Sequence, residues 1–146
     1  MESSTPSRDT GLAMSEENID RIRADYEEFS RTGEVNVDFL APDFELHQAS
    51  SILDTAGVFY GPDAFADVLS ELREAFEELS FEAEEFIEAP NGDIVVLIHA
   101  RGRGRGSGIE IDNHIAPVWT YRDDKAIRMV AYEERAEALE AAGLRE

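Results

Sequence analysis

Phe81-Glu-Ala-Glu-Glu-Phe-Ile-Glu-Ala-Pro-Asn-Gly-Asp-Ile-Val-Val-Leu-Ile-His-Ala-Arg-Gly-Arg103 decides the fold. From Phe81 the pattern takes a period of two, and Pro90-Asn-Gly-Asp separates a strand ending near Glu88 from a second running from Ile94 to about Arg103. Two extended runs joined through Asn-Gly predict a hairpin. A Gly106-Ser-Gly108 turn then leads into a long strand from Ile109 to Tyr121, and Arg122-Asp-Asp-Lys125 turns back into Ile127 to Tyr132. Strands linked only by short turns form an antiparallel meander.

Upstream of the meander the period is helical. Ile19, Ile22, Tyr26 and Phe29 follow a candidate N-cap at Ser15, with Glu16 and Glu17 in the first turn and Gly33 as the stop. A short segment from Val35 to Leu40 precedes Phe44, Leu46 and Gln48, which alternate with Glu45 and His47 as in a strand. After a loop through Ser51 and Thr55, Gly57 to Tyr60 reads as a short extended piece, and Pro62 as the first position of a helix. Phe65, Val68, Leu69, Leu72, Phe76 and Leu79 place the apolar stripe of that helix on one face. A last short helix begins at Glu133 or Glu134 and ends at Gly143. Residues 1–13 are polar and aperiodic and are expected to form a disordered tail, leaving one α+β domain over residues 14–146.

Composition excludes several classes of function. The formal charge is -20, with a single lysine among 13 basic residues, so nucleic acid and anionic membranes are repelled at long range. Arg101, Arg103 and Arg105 alternate with glycines and are read as ion-pair partners for nearby acids rather than RNA contacts. The chain has no cysteine, hence no disulfide framework and no thiolate metal site, and the cytoplasm is the expected compartment. The longest apolar run, Ile94 to Ile98, is far short of the roughly 20 residues that a membrane helix needs. His47, His99 and His114 show no His-x-His or Glu-x-x-His spacing, so no metal and no cofactor are expected.

Six short stretches carry a resemblance. Met14-Ser-Glu-Glu-Asn, Leu40-Ala-Pro-Asp-Phe-Glu-Leu-His, Gly57-Val-Phe-Tyr-Gly-Pro, Gly102-Arg-Gly-Arg-Gly-Ser-Gly, Val118-Trp-Thr-Tyr-Arg-Asp and Glu137-Ala-Leu-Glu-Ala-Ala-Gly-Leu stand in order across residues 14 to 144. Together they resemble the SnoaL-like family of the nuclear transport factor 2-like superfamily. The resemblance implies a curved antiparallel sheet wrapped by three main helices into a cone with a central pocket. Ketosteroid isomerase and polyketide cyclases belong to that superfamily, beside members that only bind, so the residues must decide the chemistry. Aligned with the isomerase, the tyrosine donor falls at Tyr26, but the two aspartate positions fall at Gln48 and Pro117. Neither can perform the isomerase proton transfer.

Strand parity places Val95, Leu97, His99 and Arg101 on one face, and the isomerase alignment turns that face inward. His99 is then either an acid or base, or a core histidine satisfied by Asn113 or Gln48. Phe44, Leu46, Phe59, Tyr60, Trp119 and Tyr132 supply an apolar wall, and Gln48, His99, Arg101 and Asn113 its polar tips. His47 and His114 are expected on the outer face. Ile94, Val96 and Ile98 on that face suggest cover by a second subunit, hence a homodimer. The resulting expectation is a pocket for a small hydrophobic or aromatic molecule, either bound or transformed by cyclisation, isomerisation or hydrolysis, with His99 and Tyr26 catalytic. The alternative is a non-catalytic dimerisation or accessory domain whose cavity is filled by its own side chains.

Overall fold

The computed structural model describes residues 6–34, 36–48 and 57–144, with the side chains of 6–15 and of Gln48 outside that description. Val35 and the expected loop from Ser51 to Thr55 also lie outside it. Three helices, α1 (Pro6–Thr32), α2 (Pro62–Ala75) and α3 (Arg135–Ala141), accompany six strands. The strands are β1 (Leu40–Gln48), β2 (Gly57–Tyr60), β3 (Phe76–Glu88), β4 (Ile94–Gly104), β5 (Glu110–Arg122) and β6 (Lys125–Tyr132). They form one sheet in the order β2-β1-β6-β5-β4-β3. The pairings are antiparallel except β1 with β6, so the sheet is mixed and the expected meander is its larger part.

Three boundaries differ from the sequence reading, each for a physical reason. First, α1 starts at Pro6, taking in residues 6–13 that composition assigns to a tail and placing Ser15 inside the helix rather than at its cap. Proline is favoured at a first helical position, so Pro6 competes with Ser15 as the start. Second, α2 ends at Ala75, so Phe76 and Leu79 belong to β3 rather than to the helical stripe. Glu71 to Leu79 is built of helix formers, but Phe76 and Glu77 pair with Gly104 and Arg103, and tertiary pairing overrides local propensity there. Third, Leu40 opens β1 rather than closing the preceding segment, which ends in a turn at 38–39 with Leu40 N–H donating to the Val37 carbonyl at 3.0 Å.

The sheet buries its inner face and part of its outer face. On the inner face, β4 residues Ile94, Val96, Ile98 and Ala100 join Ile22 and Phe29 of α1 and Phe65, Val68 and Leu72 of α2 in the main core. On the outer face, Val95, Ala116 and Val118 pack against Ala138, Leu139 and Ala142 at the C-terminal end. The face that seemed to call for a second subunit is therefore the inner core face, and the opposite apolar face is covered by α3. Two register shifts in the β3–β4 ladder and one in β5–β6 bend the strands around α1 and α2. Gly33, at φ 82°, closes α1 as the left-handed residue that glycine tolerates best, its N–H returning to the Phe29 carbonyl at 2.8 Å.

Trp119 centres the inner core. Its ring lies 5.6 Å from Phe39, 5.9 Å from Phe65 and 6.2 Å from Phe44 between centroids, and Phe44 meets Phe65 edge-on at 5.6 Å. Phe44 is completely buried. Phe44→Ala is expected to remove about 3–5 kcal/mol of unfolding free energy in denaturant titration. A loss within about 0.5 kcal/mol, as at a surface position, would contradict this packing.

Candidate functional site

A cavity of about 100 Å³ opens between α1, α2 and the inner sheet face. Its wall is almost wholly apolar and includes Ile22, Phe29, Leu46, Trp119 and Met129. Its polar residues come from α1 and the turn after it: Asp25, Tyr26, Glu34 and Asn36. Asp25 stands three residues after Ile22 and four before Phe29, on the same side of the helix as these buried residues, which turns its carboxyl into the interior.

Asp25 is the chemically distinctive group. Asn36 Nδ2 donates to its Oδ1 at 3.4 Å, while Oδ2 is buried with no partner. Burial raises the carboxyl above the ordinary aspartate range, against the lowering effects of Asn36 and of Arg21. Next to it, Tyr26 Oη accepts from Trp119 Nε1 at 3.3 Å, leaving the hydroxyl proton of Tyr26 free to donate. Burial also pushes the Tyr26 phenol up, so it stays neutral at physiological pH. Tyr121 Oη is the other buried polar atom without a partner among the described residues, and its phenol feels both Asp25 and Tyr26. Native interiors pair nearly all such atoms.

The residues expected at the site divide sharply. Tyr26, Leu46, Trp119 and Tyr132 line the cavity. Phe44 is packed behind it in the core, and Phe59 faces the core opposite Leu46. Tyr60 is 70% exposed and Asn113 is also exposed, so neither forms part of the wall. Gln48 closes β1 opposite Gly57 and Ala131, and its side chain lies outside the described residues.

His99 and Arg101 are corrections: both lie on the outer face of the sheet. In the β4–β5 ladder Ile98 pairs with Ile115 and His99 with His114, so the isoleucines face the cavity and the histidines face away. The isomerase alignment was one residue out of step with this register, and such a slip exchanges the two faces. The missed signal was on β5, where pairing His99 with His114 sets Ile98 opposite Ile115 and gathers the aliphatic pair on one face and the histidines on the other. His47 also lies outside the cavity lining, with Nε2 2.9 Å from Glu45 Oε1.

The three arginines of the β4 end meet acids, as the alternation suggested. Arg103 binds Glu77 at 3.1 Å and Glu78 at 2.7 Å, Arg105 lies 3.9 Å from Glu77, and Arg101 3.9 Å from Glu82.

With this geometry, comparison with known proteins is informative. The SnoaL-like domain model matches residues 13–129. The chain belongs to the SnoaL-like family. An NTF2-like protein of unknown function from Burkholderia pseudomallei is similar, with 23% identity, 84% of this chain and 95% of that one covered, and a TM-score of 0.66. A candidate SnoaL-like polyketide cyclase from Jannaschia sp. CCS1 shares 16% identity over 90% of each chain, with a TM-score of 0.67. A protein of ketosteroid isomerase-like fold from Catenulispora acidiphila, solved with trimethylamine, shares 12% identity over 74% of this chain and 79% of that one, with a TM-score of 0.59. No curated protein matches the sequence. Among the described residues no helix is long and apolar enough to cross a membrane.

Ionised Asp25 destabilises this SnoaL-like domain, because its folded-state pKa is raised. The folded state then binds the proton more tightly than the unfolded chain, so the cost is present at neutral pH and fades as pH falls toward the unfolded value. Asp25→Asn is therefore expected to raise Tm near pH 8, with a gain that shrinks as pH falls toward the ordinary aspartate value of about 4. Thermal melts across that window check this. An unchanged or lowered Tm near pH 8 would contradict it.

Proposed function

We propose that this SnoaL-like protein binds a compact hydrophobic molecule bearing a hydrogen-bond-donating or amine group. The observation that carries the reading is the unpartnered, buried Oδ2 of Asp25 in an otherwise apolar cavity. An acceptor left unpaired there is best satisfied by a donor on the ligand. Asp25, Glu34 and Asn36 at the polar end favour a cationic or neutral head over an oxyanion, and among the described residues no arginine lines the cavity. The trimethylamine held by the Catenulispora protein is a ligand of that size and charge.

The chemistry open to such a site is proton transfer. A carboxyl raised by burial moves toward the range where an acid or base works near neutrality, and Tyr26 offers a neutral donor beside it. Isomerisation and cyclisation both need only these two roles, and no cofactor is required for either.

One observation favours the second reading, an accessory domain with a filled cavity. Ligand pockets commonly run from about 300 Å³ upward. At about 100 Å³ the space holds something nearer benzene in size than a steroid. A thermal-shift titration separates the two readings. Trimethylamine-sized amines are expected to raise Tm by mass action, stabilising the native state by about 2.7 kcal/mol at a hundredfold excess over Kd. Asp25→Asn should weaken that binding at least about tenfold, a loss of roughly 1.4 kcal/mol, while His99→Ala leaves it unchanged. No shift with any compact amine would overturn the binding reading in favour of the filled cavity, and equal binding by Asp25→Asn would overturn the role given to Asp25.

We further read the protein as a cytoplasmic homodimer. The chain contains no cysteine, and Val58, Tyr60 and Ile109 leave large apolar side chains in water, the kind of surface that association covers. Sedimentation velocity should return the dimer mass, and a monomer mass across the accessible concentration range would refute it.

A further inference from the structure

On the opposite side of the sheet from the cavity, His99 and His114 face each other across the β4–β5 ladder with their rings stacked, centroids 4.5 Å apart and planes 16° from parallel. Glu84, at the register shift in β3, reaches both. One carboxylate oxygen lies 3.8 Å from His99 Nδ1 and the other 3.5 Å from His114 Nε2. One donor atom from each of the three residues falls within 4.8 Å of the others. We infer that Glu84, His99 and His114 form a binding site for a divalent transition metal of the zinc class.

Three observations carry this. Zinc bonds of about 2.0–2.1 Å to nitrogen and oxygen put neighbouring ligands in a tetrahedron roughly 3.4 Å apart, close to the separations from Glu84 to each histidine. Asp112 is hydrogen-bonded to His99 Nε2, so Nδ1, 3.8 Å from Glu84, is the nitrogen left to an ion, and the stacked rings swing out of parallel for both lone pairs to meet it. A carboxylate holding the far nitrogen of a histidine is the usual outer partner of a metal-bound imidazole. Arg101 lies over His99, its Nη2 3.1 Å from Nδ1, so a cation already sits against this acceptor and must move aside when an ion binds. Glu82, 3.9 Å from Arg101, is positioned to receive it.

The remaining position of the ion faces a groove of about 290 Å³ lined by Glu84, Leu97, His114 and Ala116, which gives water access to it. Spacing along the chain hides this set, because its members come from three neighbouring strands. The site is independent of the proposed cavity function, being separated from Asp25 by the thickness of the sheet.

The test is a titration of the full, tag-free protein with zinc, and with cobalt, whose visible bands report tetrahedral nitrogen and oxygen ligation. One ion per chain is expected. His114→Ala, at an exposed position, and Glu84→Gln should each weaken uptake at least about tenfold, and Asp112→Asn by about 10–100-fold. Arg101→Ala should tighten it, and His47→Ala, on a distant strand, should leave it unchanged. Absence of saturable one-to-one uptake overturns the site, as does uptake that His114→Ala leaves unaltered.

Discussion

The pairing of β4 with β5 is the constraint on which the remaining structure depends. β4 is apolar on both faces through its middle, so hydrophobicity alone does not say which face encloses the cavity. The register does. With Ile98 opposite Ile115 and His99 opposite His114, every even-numbered β4 side chain from Ile94 to Ala100 joins the main core. Every odd-numbered one goes to the outer face, where α3 covers Val95 and Leu97. A different register would turn two histidines and an arginine onto the apolar inner face in place of Ile98 and Ile115, exchanging core burial for the desolvation of polar groups.

The architecture was readable from the sequence because its signals are local. The turn at Pro90-Asn-Gly-Asp, the Gly106-Ser-Gly108 turn and the helical spacing from Ile19 to Phe29 each fix an element without reference to the others. The end of α2 was not readable, since Glu71 to Leu79 prefers helix and only pairing with Gly104 and Arg103 makes Phe76 the start of a strand. The site was legible in part for the same reason. Tyr26 and Trp119 are recognisable as large side chains on buried faces, and they meet in the cavity. Asp25 was visible only as an acid on an apolar stripe, a departure from pattern whose meaning depends on what faces it.

The polar end of the cavity changes the chemistry expected of the protein. A histidine and an arginine would have favoured an oxyanion. The residues present instead are the half-buried Asp25, the carboxylate of Glu34, a neutral phenol and an amide, which favour a donor or a cation. The sequence alignment with the isomerase sets its two aspartates against Gln48 and Pro117, whereas the carboxyl of Asp25 reaches the cavity from a different element, α1. Fold membership therefore carries over to this chain, while its chemistry has to be argued from its own residues.

The most direct test of this account is a carbon-13 NMR titration of the Asp25 side-chain carboxyl in the intact protein. The account predicts an apparent pKa above the ordinary aspartate value of about 4, falling when a compact amine occupies the cavity. An ordinary or depressed value that no amine shifts would mean that Asp25 is not the buried polar centre of the site.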